Sequence, residues 1–167
     1  MQRPESGEKL RGTEPLDDID RAVLRVLQED GRATFAQVGE RVGLSAPAAK
    51  RRVDRLVERG VVHGFTAVVD PEALGWRTEA FVQVRCHGTV SPAELRRAWE
   101  GIPEVVGAYT VTGHADALLH VLARDVQHLE QAIERVRDEP NIAATDSVIV
   151  LSRLVDRGRS AAGRLRP

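Results

Sequence analysis

Lys50, Arg51, Arg52, Arg55 and Arg59 stand within ten residues of one another, against only Asp54 and Glu58. Guanidinium groups spaced along one helix suit DNA contact, because they pair bidentately with guanine edges and as ions with phosphates. At about 100° per residue, Ala46, Ala49, Val53, Leu56 and Val57 share one arc. Ala48, Arg51, Arg55 and Arg59 fall opposite, with Lys50 and Arg52 on the flanks. A helix buried on one side and cationic on the other is what major-groove entry requires. Pro47, Ala48 and Arg51 are candidates for base edges: arginine favours guanine, and small apolar groups favour thymine methyls. Lys50, Arg52, Arg55 and Arg59 suit phosphates, which set affinity and its salt dependence. Arg52 is equally suited to brace the fold. The competing reading of the whole run is a solvated helix face.

Other reactive residue types make no such pattern. Cys86 is the single cysteine, so no intrachain disulfide forms, and it reads as a small buried hydrophobe. His63, His87, His114, His120 and His128 lack metal-ligand spacing. His87 follows Cys86 in an alternating segment and so points to the other strand face.

The cationic helix needs a partner to bury its apolar side. Phe35, Val38 and Val42 supply a preceding short helix, with a tight turn at Gly43-Leu44-Ser45. Ser45, grouped with the DNA-contacting residues, is placed to cap the second helix, and Pro47 falls in its first turn, where no N–H is missed. Upstream, Leu16, Ile19, Val23, Val26 and Leu27 form a third stripe that Asp17 or Asp18 could cap, ended by Gly31. Residues 16–60 thus make a three-helix, winged-type helix-turn-helix domain. Residues 1–15 read as a flexible tail.

Val61 to Val69 is β-branched and reads as a strand, and Asp70-Pro71 with Gly75 as a hinge, giving a connector over 61–77. A different rhythm follows over 78–152. Ala80, Val82, Val84 and Cys86 alternate with Phe81, Gln83, Arg85 and His87 as a half-buried strand. Ser91-Pro92-Ala93-Glu94 is a capping box opening a helix that shares Leu95, Ala98, Trp99 and Ile102 on one face. Val105 to Thr112 and Ala117 to Ala123 form a hairpin around Gly113-His114-Ala115-Asp116. Asp125 caps a helix carrying Val126, Leu129, Ile133 and Val136, and Thr145 to Leu151 is a last strand. The order βαββαβ is ferredoxin-like, so the fold class is α+β. Its open sheet face needs a cover, for which a second copy of the chain is the usual solution. Residues 153–167, rich in arginine and glycine, read as a basic mobile tail.

Net charge is −1 over 167 residues, which read globally does not suggest a nucleic-acid partner. Locally it divides: net +3 over Lys50–Arg59 and −5 over Glu79–Ser152. The first fifteen residues lack the apolar core of a signal peptide, and no apolar run is long enough for a bilayer, so a cytoplasmic address and no membrane partner are expected.

These pieces, in this order, resemble the leucine-responsive regulatory protein/AsnC family, the feast/famine regulators of prokaryotes. Leu16-Asp17-Asp18-Ile19-Asp20 with Leu24 and Leu27 is similar to the family's opening. Gly31-Arg32, Val42-Gly43-Leu44-Ser45, Arg52-Val53, Leu56 and Gly60 resemble its helix-turn-helix block, and Gly64-Phe65-Thr66-Ala67 its exit strand. Gly113-His114-Ala115-Asp116 resembles its ligand loop, and Pro140 through Thr145-Asp146-Ser147 its closing strand. The resemblance implies a regulator of amino-acid metabolism or transport that binds double-stranded DNA. It also implies a homodimer assembling to a tetramer or octamer, and an amino-acid effector held between C-terminal domains, with no other cofactor. By position, Gly113 and Asp116 would take part in that pocket, with Tyr109, His114, Thr145 and Ser147 nearby. A glycine leaves main-chain N–H groups open to a carboxylate, and an aspartate can pair with an α-ammonium. His114 stands where an acid is usual and Ser147 where threonine is common, and both bear on which ligand fits. The bland readings are an exposed loop histidine, and an Asp116 that closes the hairpin on its own backbone. Two alternatives of other classes are a DNA-architectural protein of low sequence specificity and a small ferredoxin-like dimeric enzyme. Against the enzyme, the second domain has no Cys/His, Ser/His or paired-carboxylate constellation on a shared loop.

Overall fold

The computed structural model describes residues 15–155, so nearly all of the two tails read from sequence lies outside the described residues. The chain divides into two compact units, one ending at Val68 and the other running Val69–Leu154.

In the first unit, α1 (Asp18–Glu29), α2 (Phe35–Val42) and α3 (Ala46–Glu58) enclose Val23, Val38, Ala49, Val53 and Leu56. Asp17 caps α1 by accepting from Asp20 N at 2.7 Å, and Thr34 with Gln37 makes a reciprocal capping box on α2. Gly43, at φ 71°, turns the chain out of α2. Gly39 lets that turn pack tightly: an added Cβ would lie 2.4 Å from the Leu44 carbonyl oxygen. Ser45 occupies the N-cap of α3 but its side chain makes no capping bond, contrary to expectation. Phe35 and Val57, both expected in the core, are 39% and 43% exposed. For Val57 the reason is that α3 packs against α1 as well as α2, which turns its buried arc toward Leu56. No strand forms over 61–69, because no neighbour among the described residues offers the ladder that extended backbone needs. The hinge at Asp70 takes the form of a single 3₁₀ turn, Pro71–Leu74, closed by Gly75 at φ 85°.

The second unit has the order read from sequence: β1 (Thr78–Cys86), α4 (Pro92–Trp99), β2 (Val105–Thr110), β3 (Ala117–Ala123), α5 (Val126–Arg137) and β4 (Ile142–Ile149). The sheet is antiparallel in the order β2-β3-β1-β4. Both helices cover one face, where Val82, Val84, Leu119 and Val121 meet Leu95, Trp99, Leu129 and Val136. Register sends Phe81, Gln83, His120, Leu118, Tyr109, Asp146 and Val148 to the other face. On that face Phe81 stacks on His120 at 4.9 Å between centroids, and His120 Nε2 lies 2.6 Å from Glu79 Oε1. Arg153, assigned to the mobile tail, ion-pairs with the same Glu79.

Beneath α5, Glu104 is 5% exposed. His128 Nε2 lies 2.8 Å from its Oε1, and Arg135 Nη2 lies 2.6 Å from its Oε2. Burial opposes its charge, but its own backbone N–H, Arg135 and His128 outweigh burial and hold the carboxyl below its ordinary value of 4.5. A depressed carboxylate contributes stability that is present above the unfolded value and lost as pH falls through the folded one. Urea unfolding should therefore show that part of stability vanishing below the ordinary glutamate range, and Glu104→Gln should flatten the acid limb. At neutral pH the substitution should cost about 2 kcal/mol, less than for an enclosed pair because Arg135 stays partly in solvent.

Candidate nucleic-acid interface and effector pocket

The solvent face of α3 is built by what its other sides touch. Ala49, Val53 and Leu56 are committed to the core, leaving Pro47, Lys50 and Arg51 exposed and Ala48 half-buried beside them. Lys50 Nζ lies 2.5 Å from Asp54 Oδ2 and 5.9 Å from the Phe35 ring centroid. Such an exposed pair exchanges readily with solvent. Arg51 has no ion-pair partner among the described residues.

The remaining arginines take a different direction from the one read off the helical wheel. Arg55 and Arg59 lie on the flank facing α1, together with Arg52, rather than on the exposed side with Arg51. Arg55 Nη2 is 3.0 and 2.9 Å from the two carboxylate oxygens of Asp20. Arg52 Nη1 is 2.9 Å from Asp20 Oδ1 and also pairs with Asp17, and Arg59 Nη1 lies 4.0 Å from Asp20. The Asp20 backbone N–H and the Arg52 guanidinium hold the Asp17 carboxyl below its usual range. Asp17 and Asp20 in turn hold the Arg52 guanidinium more firmly charged. Arg52 of α3 is thereby joined to both Asp17 and Asp20. Asp20, which organises all three, was missed from composition and spacing. The signal was present: an acid four residues after Leu16 and three before Val23 lies on the core stripe of α1.

In the second unit, the β2–β3 hairpin loop holds Gly113 at φ 115°, a conformation that favours glycine. Asp116 is stitched to β1: its Oδ2 accepts from Cys86 N at 2.8 Å, and its own N–H donates to Val84 O at 2.9 Å. In place of the bond to its own turn, one of the two readings from sequence, its side chain bonds the neighbouring strand. Burial and the nearby Asp116 charge push the partly buried Cys86 thiol up, which keeps it protonated and unreactive. A cavity of about 200 Å³ beside the loop is lined by His114 and Ala115 with Gln83, Arg85 and Asp146 of the open sheet face.

The six expected effector residues do not converge within one chain. Thr145 and Ser147 pair with Val84 and Val82 and so lie on the helix side of β4, where Arg137 Nε donates to Thr145 Oγ1 at 2.6 Å. Tyr109 is on the open face but at the opposite edge strand. Its ring folds back over Gly107, where an added Cβ would meet Oη at 2.9 Å.

Residues 16–57 match the AsnC-type helix-turn-helix domain and residues 79–160 the Lrp/AsnC ligand binding domain. An HTH-type transcriptional regulator of Mycobacterium tuberculosis, Rv2324, is 58% identical over 142 residues, 85% of this chain and 96% of its own. The proline dehydrogenase transcriptional activator of Rhizobium radiobacter is 33% identical, over 87% of this chain and 96% of its own. Among solved structures, the feast or famine regulatory protein Rv3291c of M. tuberculosis, complexed with L-methionine, superposes with a TM-score of 0.79 at 38% identity. That match covers 85% of this chain and 96% of the other. The transcriptional regulator NMB0573 of Neisseria meningitidis, in an L-Met complex, gives 0.80 at 28% identity, covering 85% and 94%. With a helix-turn-helix unit and a four-stranded α+β unit each matched in turn, the chain belongs to the Lrp/AsnC family of transcriptional regulators, which are not enzymes.

Proposed function

We propose that this regulator reads specific DNA sites with the exposed face of α3 and controls genes of amino-acid metabolism or transport in response to an amino acid. The observation that carries the DNA half is Arg51: exposed, unpaired by any acid among the described residues, and one turn into a helix whose opposite side is packed. Arg51 contacts a base edge, with Pro47 and Ala48 against apolar base groups. Lys50 meets phosphate by exchanging Asp54, and the Ser45 hydroxyl, which caps nothing, is a second phosphate contact. Arg52, Arg55 and Arg59 already have carboxylate partners. With one unpaired cation on the reading helix, a low-specificity architectural role is the weaker reading. No helix among the described residues is long and apolar enough to cross a membrane, in keeping with work on DNA in the cytoplasm.

The working unit is a homodimer, able to assemble further to a tetramer or octamer. A sheet covered by helices on one face only leaves Phe81, Tyr109 and Val148 exposed on the other. The unpaired segment 61–69 likewise exposes Phe65, Val68 and Val69. A second copy offers both a cover and a strand partner, and places two α3 helices for two half-sites about one DNA turn apart.

The effector site is the Gly113–Asp116 loop with the cavity beside His114, completed by another copy. Three features support it: the small cavity, the dispersal of Tyr109, Thr145 and Ser147, and the L-methionine held by two solved relatives. Gly113 exposes main-chain N–H groups to a carboxylate, and Asp116 has a second carboxylate oxygen for an ammonium group.

Titration against an operator selected from a random pool should show Arg51→Ala losing about 2 kcal/mol there, with little change on random duplex. Equal losses on both would discard the base-reading role. Phe81→Glu should convert the dimer to a monomer by light scattering; an unchanged mass would place the interface elsewhere. L-Methionine, tried first among the twenty amino acids, should raise the thermal midpoint of the wild type. Asp116→Asn keeps an acceptor for Cys86 N–H, so it should lose that response while unfolding at the wild-type temperature without ligand. A normal response in that variant would remove Asp116 from the site.

A further inference from the structure

Asp20 is 1% exposed within the core stripe of α1, and its charge is met by side chains of the recognition helix. Arg52 and Arg59 are correspondingly covered, with only 26% and 19% of their side-chain surface exposed, while 42% of Arg55 stays exposed. A carboxylate bonding guanidinium N–H groups at 2.9–3.0 Å makes the contact that a DNA phosphate oxygen would otherwise make.

We infer that Asp20 is a built-in phosphate substitute: it holds Arg52 and Arg55 away from the duplex, suppresses sequence-independent binding, and leaves discrimination to Arg51. This rests on the DNA-reading role of α3 proposed above. Non-specific affinity comes from cations placed on phosphates, each contributing about 0.9 to the slope of log K against log salt. What a regulator needs is the ratio of specific to non-specific affinity, because competing sites vastly outnumber operators. Releasing Arg52 and Arg55 to phosphates would strand a buried carboxylate, so the pairs persist when DNA approaches. Lys50 differs: its acid, Asp54, is solvated and gives it up easily. Specificity therefore comes partly from cations withheld, and the partner that withholds them lies on another helix.

The test is the salt dependence of binding to a random-sequence duplex and to a duplex selected from a random pool by the wild-type protein. Asp20→Asn keeps the shape of the side chain and removes its charge. It should bind random duplex several-fold tighter at low salt and steepen the slope by about one unit, for Arg55, because Arg52 keeps its pair with Asp17. The selected-to-random ratio should fall. Arg55→Ala added to Asp20→Asn should return about one unit of slope. A strut that only joins α1 to α3 would lower the melting temperature and leave the slope unchanged, and that result would overturn the inference. If Asp20→Asn fails to fold, Arg55→Gln in the otherwise wild-type chain decides. Its slope on random duplex should match the wild type, and a drop of about one unit would mean that Arg55 already touches phosphate. Wild-type protein with no salt-dependent DNA binding would instead refute the DNA-reading role itself, so the two failures are distinguishable.

Discussion

A carboxylate placed on the apolar stripe of a helix must find cations, and Asp20 finds them on α3. That single requirement sets how the recognition helix is rotated against α1. Three arginines are drawn toward one flank, the buried arc settles on Ala49, Val53 and Leu56, and Arg51 is left pointing to solvent. Hydrophobic packing alone specifies the rotation of α3 less sharply, since the core residues Val23, Val38 and Val53 are similar in size and shape. Charge pairing is less forgiving, because a displaced guanidinium leaves a buried acid without its hydrogen bonds.

The second unit answers a different constraint. Four strands and two helices make two layers, and both helices lie on the face lined by Val82, Val84, Leu119 and Val121. The other face is mixed rather than polar. Phe81, Tyr109 and Val148 lie beside Gln83, His120 and Asp146, a composition suited to contact with protein as much as with water. Glu79, bonded to both His120 and Arg153, also lies on this face, so the end of the described chain is anchored there by charge. Burial opposes the charge of Glu79, but Arg153 and His120 outweigh it and keep the carboxyl below its ordinary range.

The two units divide the labour of a regulator in a physically sensible way. Sequence reading needs a small rigid face with few free charges, which the first unit provides through its paired arginines. Sensing needs surface whose satisfaction depends on something outside the chain, and the proposed effector site, a small cavity beside an uncovered sheet face, has that character. Binding there by ligand or partner contributes free energy only to the states that complete it, and this is the thermodynamic requirement for a switch.

Periodicity and capping residues determined the elements without reference to the tertiary structure. The alternation of Ala80, Val82 and Val84, the Ser91–Glu94 box, Asp125 and the Pro140 break all mark elements close to where they occur. Spacing also placed the helix-turn-helix, since Gly43 and the flanking stripes depend only on local geometry. What tertiary structure decided was direction and partnership. A helical wheel gives angles about one axis but not which neighbours surround it, so Arg55 and Arg59 looked outward, and Phe35 and Val57 looked buried. Asp20 stands on the core stripe of α1 in sequence, but its arginine partners became legible only when α1 lay beside α3. Residues 61–69 have the composition of a strand, yet a strand exists only with a ladder partner, and none is present among the described residues. The same holds for Tyr109, Thr145 and Ser147: their sequence positions follow the family pattern, but the sheet separates them by face and by edge. Local spacing encodes elements, because their hydrogen bonds close within a few residues. Sites are encoded by long-range packing, which no single stretch of sequence contains.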